Sequence, residues 1–178
     1  AGSWSQFVGD IDEAMLFSEG LTARQISDIN QGAYRTGSTP LPSGTADIDA
    51  LKRSTGAGPS GKVLVGFWPL DGDGQDLSHP EQVSQFGQDL SGTEAHLTAV
   101  NAQFVSGLFG QAFRFVGNDR LEVTDTNGAL DADFVTMIAW IRPINYDVDA
   151  DRGIIMNKEG SYEMCVFLCL RLRRWLWL

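Results

Sequence analysis

Residues 107–143 read GLFGQAFRFVGNDRLEVTDTNGALDADFVTMIAWIRP, and this stretch decides the fold class. Phe113, Phe115, Leu121 and Val123 alternate with Arg114, Val116, Glu122 and Thr124. A period of two buries one face of a strand and wets the other, and the Gly117-Asn118 step between the two runs predicts a hairpin lying on a sheet. After an acidic loop, residues 134–141 run almost continuously apolar through Val135, Met137, Ile138, Ala139 and Trp140. That pattern predicts a strand covered on both faces, with Pro143 ending it because a proline cannot donate to a ladder.

Working outward, residues 7–17 (FVGDIDEAMLF) predict a short strand with Ile11, Ala14, Leu16 and Phe17 inward and acidic residues on its exposed side. A short helix over 23–31 follows. Thr22 and Gln25 have capping-box spacing, Leu21 and Ile26 stand where a hydrophobic staple would close, and Gly32 supplies the stop. Residues 63–70 (VLVGFWPL) predict a buried strand, and residues 153–163 (GIIMNKEGSYE) predict a hairpin.

The glycines and aromatics of the central stretch carry a resemblance. Gly107, Gly110, Ala112, Phe115, Gly117, Asp119, Leu121, Val123, Phe134, Trp140 and Pro143, in this order, resemble laminin-G-like domains of the concanavalin A-like lectin/glucanase superfamily. Further matching positions are Phe67-Trp68-Pro69-Leu70-Asp71, which is similar to the opening strand, and Asp89-Leu90-Ser91-Gly92, which is similar to an Asp-x-Ser-Gly turn. Ile11, Asp12, Glu13, Phe17, Leu21, Thr22 and Ile26 resemble the closing strand and helix.

The resemblance implies an all-β fold: an antiparallel jelly-roll β-sandwich, incomplete, with one short helix near the N-terminus. It also puts an ending before a beginning. Residues 1–33 are expected to be the closing strand and helix of an upstream module, 34–62 a Gly/Ser/Thr/Pro-rich linker, and 63–164 the N-terminal part of a second module. Residues 165–178 (CVFLCLRLRRWLWL) depart from the family and read as an aberrant tail from a shifted or prematurely ended frame; the competing reading, a basic interfacial anchor, needs a clean amphipathic face that the run only partly offers. Because a jelly roll keeps its first and last strands close, residues 7–17 are expected to pair with 63–70 and complete the second module.

The 178 residues suffice for a sizeable core, and 43% hydrophobic content makes the chain globular. A net charge of −10 argues against nucleic acid, which needs clustered Lys and Arg. No apolar segment reaches the ~18 residues of a membrane span. Cys165 and Cys169 would stand too far apart on one strand to bridge, so no disulfide framework follows.

Calcium takes about six to eight oxygen ligands from carboxylates, carbonyls and water. The resemblance places candidate ligands at Asp119, Asp89 and Asp12, so Ca2+ is the implied cofactor. Asn118 and Asp119 are equally turn formers, and both readings of Asp119 stand. Asp147, Asp149 and Asp151 lack the glycine and distal glutamate of an EF-hand and read as a solvated acidic loop. A retaining glycosidase needs two carboxyls roughly 5 to 5.5 Å apart. Asp10, Asp12 and Glu13 come nearest, but their spacing is wrong for the Glu-x-Asp-x-Glu pattern of the family's glucanases. Trp68 and Trp140 lie in strongly apolar strands and are expected in the core rather than on a sugar.

The expected function is therefore a non-catalytic binding or adhesion module, extracellular or cell-surface, recognising a glycan or an extracellular protein. A spacer repeat without a ligand is the alternative, and a glycoside hydrolase is the less favoured third reading. Oligomeric state has no signature in the chain.

Overall fold

The computed structural model describes residues 7–30, 63–70, 91, 95, 97–101, 103–108, 110–125, 128–144 and 153–166. The linker at 34–62, Asp89, Asp147 to 151 and the tail beyond Val166 lie outside the described residues. The described elements are nine strands and one helix, so the chain is all-β with antiparallel sheets.

Strand β1 (Gly9–Phe17) is the centre of a five-stranded sheet. On one edge it pairs along its whole length with β7 (Thr136–Pro143). Its other edge is shared: β5 (Gln111–Phe115) takes Gly9 to Ile11, and β2 (Leu64–Trp68) takes Ala14 to Phe17. The pairing expected between 7–17 and 63–70 is thus present, with Ala14 opposite Trp68 and Met15 opposite Phe67. β4 (Gln103–Ser106) extends the sheet beyond β5. Two small sheets complete the layers: β3 (Leu97–Val100) with β6 (Arg120–Val123), and the expected hairpin of β8 (Gly153–Lys158) with β9 (Tyr162–Val166).

The main core lies between the large sheet and the small ones. Ile11, Ala14, Leu16, Val65, Phe113, Phe115 and Ile141 face Leu97, Leu121, Val123, Ile155, Met156 and Tyr162. On the other face of the large sheet, Met15, Phe17, Leu64, Phe67 and Trp140 are covered by Leu21 and by Ile29 of helix α1 (Ala23–Asn30). Both tryptophans pack in these cores as expected, and Trp68 Nε1 donates to the Ala95 carbonyl at 2.7 Å. The helix starts as its sequence dictates: the Gln25 amide oxygen accepts the Thr22 N–H at 2.8 Å, and the Gln25 N–H donates to Thr22 Oγ1. Ile26 does not close the staple; it stands exposed, while Leu21 packs on the sheet.

Three expectations about the strands are also corrected. β5 and β6 do not form a hairpin: β5 pairs with β1 and β4, whereas β6 pairs with β3. Gly117, at φ 64°, turns the chain from one layer into the other, so both strands bury an apolar face against the same core from opposite sides. Phe134 is not part of a covered strand. β7 begins at Thr136, and Phe134 is 74% exposed in the loop before it.

The third correction concerns the acidic side of β1. Asp10, Asp12 and Glu13 are fully buried, because β1 has partners on both edges and packing on both faces. The strand also carries one residue too many. Asp12 stands opposite Trp140 and Met15 opposite Ile138, so three steps on β1 match two on β7. Glu13, at φ 52°, absorbs the extra residue as a bulge. The bulge is what lets Ile11 and Ala14, three apart in sequence, face the same core.

Candidate functional site

The acids of β1, nearest in the sequence to a catalytic carboxylate set, are buried. Asp10 lies between its cross-strand neighbours Arg114 and Arg142. Its Oδ1 accepts from Arg114 Nε at 2.8 Å and its Oδ2 from Arg142 Nε at 2.9 Å, with both terminal guanidinium nitrogens adding bonds. The hydrogen bond to Asp10 raises Arg114 above the usual guanidinium range. Asp12 Oδ2 accepts the Leu108 N–H at 2.8 Å and so pins the turn between β4 and β5. Gly107 is required there, because a Cβ would meet that same carboxylate oxygen at 2.6 Å. The Glu13 N–H points to the Pro69 carbonyl at 3.4 Å. A sugar ring needs carboxylates on an accessible face, and these three have none exposed.

Two of the calcium candidates, Asp12 and Asp119, lie at opposite ends of β5. Asp119 Oδ2 accepts the Val116 N–H at 2.8 Å and closes the corner after β5. Asp12 lies by the turn that precedes β5. A five-residue strand separates them, a rise of roughly 13 Å, well beyond the span of one coordination sphere. Asp12 and Asp119 therefore do not fit a shared calcium site, and Asp89 is outside the described residues. Among the described residues no group of three His, Cys, Asp or Glu is arranged to hold a metal ion.

A different constellation stands at the rim where β7 begins. The loop between β6 and β7 is pinned at two places. At the first, Lys158 Nζ lies between the carboxylates of Asp125, at 2.8 Å, and Asp131, while the Tyr162 hydroxyl donates to the Leu130 carbonyl at 3.1 Å. The Asp125 carboxylate also accepts the Leu130 N–H at 3.2 Å. At the second, Thr136 Oγ1 donates to the Glu19 carbonyl at 2.8 Å and accepts the Leu21 N–H at 3.1 Å. Phe134 stands between the pins with its ring in water. Asp131 and Asp133 of the same loop and Glu159 of the β8–β9 turn are also exposed.

Burial acts to raise Asp125, but Lys158 and the Leu130 N–H outweigh it, and the carboxyl is held below its usual range. Burial acts to lower Lys158, but Asp125 and Asp131 outweigh it and raise the ammonium. Burial also raises the Tyr162 hydroxyl, keeping it a donor. The signs define a window. Asp125 stabilises the pin fully above the ordinary aspartate value of about 3.9, and the effect is lost as pH falls through the lowered folded value. Lys158 does so fully below the ordinary lysine value of about 10.4, and the effect is lost as pH rises through the raised folded value. Hydrogen-exchange protection of the Leu130 amide is expected to be flat between these limits and to fall outside them. Lys158→Met is expected to lower it throughout; equal protection in the variant would show that the ion pairs do not hold the loop.

Sequence reading missed this rim because Phe134 precedes an unbroken apolar run and reads as its first member. The signal was Asp131 and Asp133 immediately before it, and Lys158 and Tyr162 flanking the β8–β9 turn. No family model matches the chain, and neither the curated proteins nor the solved structures give a match.

Proposed function

We propose that this chain is a non-catalytic binding module of an extracellular or cell-surface protein, laminin-G-like and built as a jelly roll. In this proposal β1, from the upstream end of the chain, fills the closing position of the module that begins at residue 63. The pairing of β1 with β2 and β7 supports that placement. Recognition of a glycan or a protein runs through side chains of the rim rather than through calcium on Asp12 and Asp119. The buried, arginine-bound and backbone-bound acids of β1 favour binding over hydrolysis.

The observation that carries the proposal is Phe134, 74% exposed on a loop fastened on both sides. A free loop loses conformational entropy when it binds; one already fastened loses less, so more of the contact energy appears as affinity. Covering the ring contributes about 2 kcal/mol, or roughly 30-fold in Kd. Retention on arrays of neutral glycans, sulfated glycans and immobilised peptides is therefore expected to fall by about that factor in Phe134→Ala, with the thermal midpoint unchanged. A wild-type chain that retains nothing, or a variant that retains equally, would leave the spacer reading in its place.

A further inference from the structure

We infer that this fold takes a second copy of the same chain as its partner by exchange of β1: residues 7–30 of each copy seat in the sheet of the other. The inference is independent of the Phe134 rim and starts from where the 7–30 piece finds its contacts. Among the described residues β1 pairs with no strand of its own piece, only with β2, β5 and β7. Past the end of β1, the Ser18 N–H donates to the Val63 carbonyl at 2.8 Å and the Leu21 N–H to Thr136 Oγ1 at 3.1 Å. Ile29 of α1 packs in one cluster with Val63 and Leu64. Strand and helix thus share one set of partners, drawn from residues 63–166.

Only the covalent connection through residues 31–62 makes those contacts intramolecular. Because Ile29 and Val63 share a packed cluster, that connection has a short gap to close and far more chain than closing it requires. A linker longer than its gap confers an effective concentration of about millimolar or less. Seating within one chain therefore wins in dilute solution, and exchange competes once copies are crowded to that level. The slot also chooses its occupant. Arg114 and Arg142 need a carboxylate at the position of Asp10, and the Leu108 N–H needs another two residues on, at Asp12. A foreign strand without the first acid leaves two guanidiniums side by side without their counter-charge. Two free β1 strands, each bearing Asp10, Asp12 and Glu13, repel one another, so the strand is a poor partner for anything but this slot.

The test pairs two full-length variants with opposite faults. Asp10→Arg puts a further cation between Arg114 and Arg142 and spoils the strand; Arg114→Glu with Arg142→Glu surrounds Asp10 with acids and spoils the slot. Each is refolded alone and the two are refolded together, then followed by urea unfolding on tryptophan fluorescence, which reads the slot through Trp68 and Trp140, and by sedimentation. Exchange puts the intact β1 of the second variant into the intact slot of the first. The expected result is a cooperative transition in the mixture that neither variant shows alone, with about half the wild-type amplitude, carried by a species of dimer mass and greatest at equal amounts. A mixture that unfolds as the sum of its two parts would overturn the inference, whether or not the variants fold singly. Wild type supplies the second measurement: refolded at about 1 mM it is expected to yield a dimer, and at about 1 μM a monomer. Monomer at both concentrations, or a wild-type dimer without rescue in the mixture, would show that the copies do not trade β1.

Discussion

Deletion of Glu13 is expected to leave the chain with a single cooperative unfolding transition, although Glu13 sits at the centre of the large sheet. Side chains alternate along a strand with a period of two, so removing a residue from a regular stretch would move everything beyond it to the opposite face. Glu13 is instead the residue by which β1 exceeds β7: without it Asp12 and Met15 stand two steps apart and match Trp140 and Ile138. Ala14 and Leu16 then stay in the main core, and Met15 and Phe17 stay on the other face. Glu13→Gly is the comparison, since glycine adopts φ 52° without a Cβ penalty; it keeps the bulge and is also expected to unfold in one step. Urea unfolding followed by tryptophan fluorescence reads both cores, because Trp68 lies in one and Trp140 in the other. A deletion variant that loses its cooperative transition while Glu13→Gly keeps it would show that β1 needs the extra residue to pair with β7.

A large loss of stability is expected at Asp10. Replacing Arg114 and Arg142 together by methionine leaves a fully buried carboxylate without its two guanidiniums. Stranding a buried charge in this way destabilises by about 3 to 5 kcal/mol. Either replacement alone is expected to cost less, since the remaining arginine still reaches Asp10 and each arginine is itself about a third exposed. Adding Asp10→Asn to the double variant removes the stranded charge and is expected to restore much of the loss, a coupling that a mutant cycle in urea measures directly. If the double replacement costs under about 1 kcal/mol, the ion pairs act as surface pairs and the carboxylate is not held by them.

What the sequence made legible was local. Alternation at Phe113, Phe115, Leu121 and Val123 locates two strands, but it cannot say whether those strands face each other across a ladder or across a core. Gly117 fits a hairpin and a corner equally well. Only the distant partners, β1 for β5 and β3 for β6, distinguish them. The acids of β1 were misread for the same reason. Asp10 looks solvated until Arg114 and Arg142, 104 and 132 residues away, return to bind it, and Asp12 until the Leu108 N–H, 96 residues away, does the same. The bulge did leave a trace, the spacing of three between Ile11 and Ala14, which strict alternation forbids. The capping box of Thr22 and Gln25 was read correctly because all its atoms lie within one turn. The rim was missed because exposure of Phe134 depends on where β7 begins, and that is decided by pairing of Thr136 with Phe17 rather than by anything adjacent.

The central place of β1 governs the order of assembly. A strand made of residues 9–17 pairs with residues 64–68, 111–115 and 136–143, so nearly every contact of the large sheet spans a long loop. Local hairpins such as β4–β5 and β8–β9 close in microseconds. The large sheet must wait for the loop-closure entropy of its distant partners, which places the chain among slow, high-contact-order folders in the millisecond to second range. During synthesis the first strand emerges long before β7, and its apolar side chains, with Asp10 still lacking both arginines, remain uncovered until residue 143 has left the ribosome. The same acids that are buried at the end keep that waiting strand charged, which opposes its pairing with another chain in the interval.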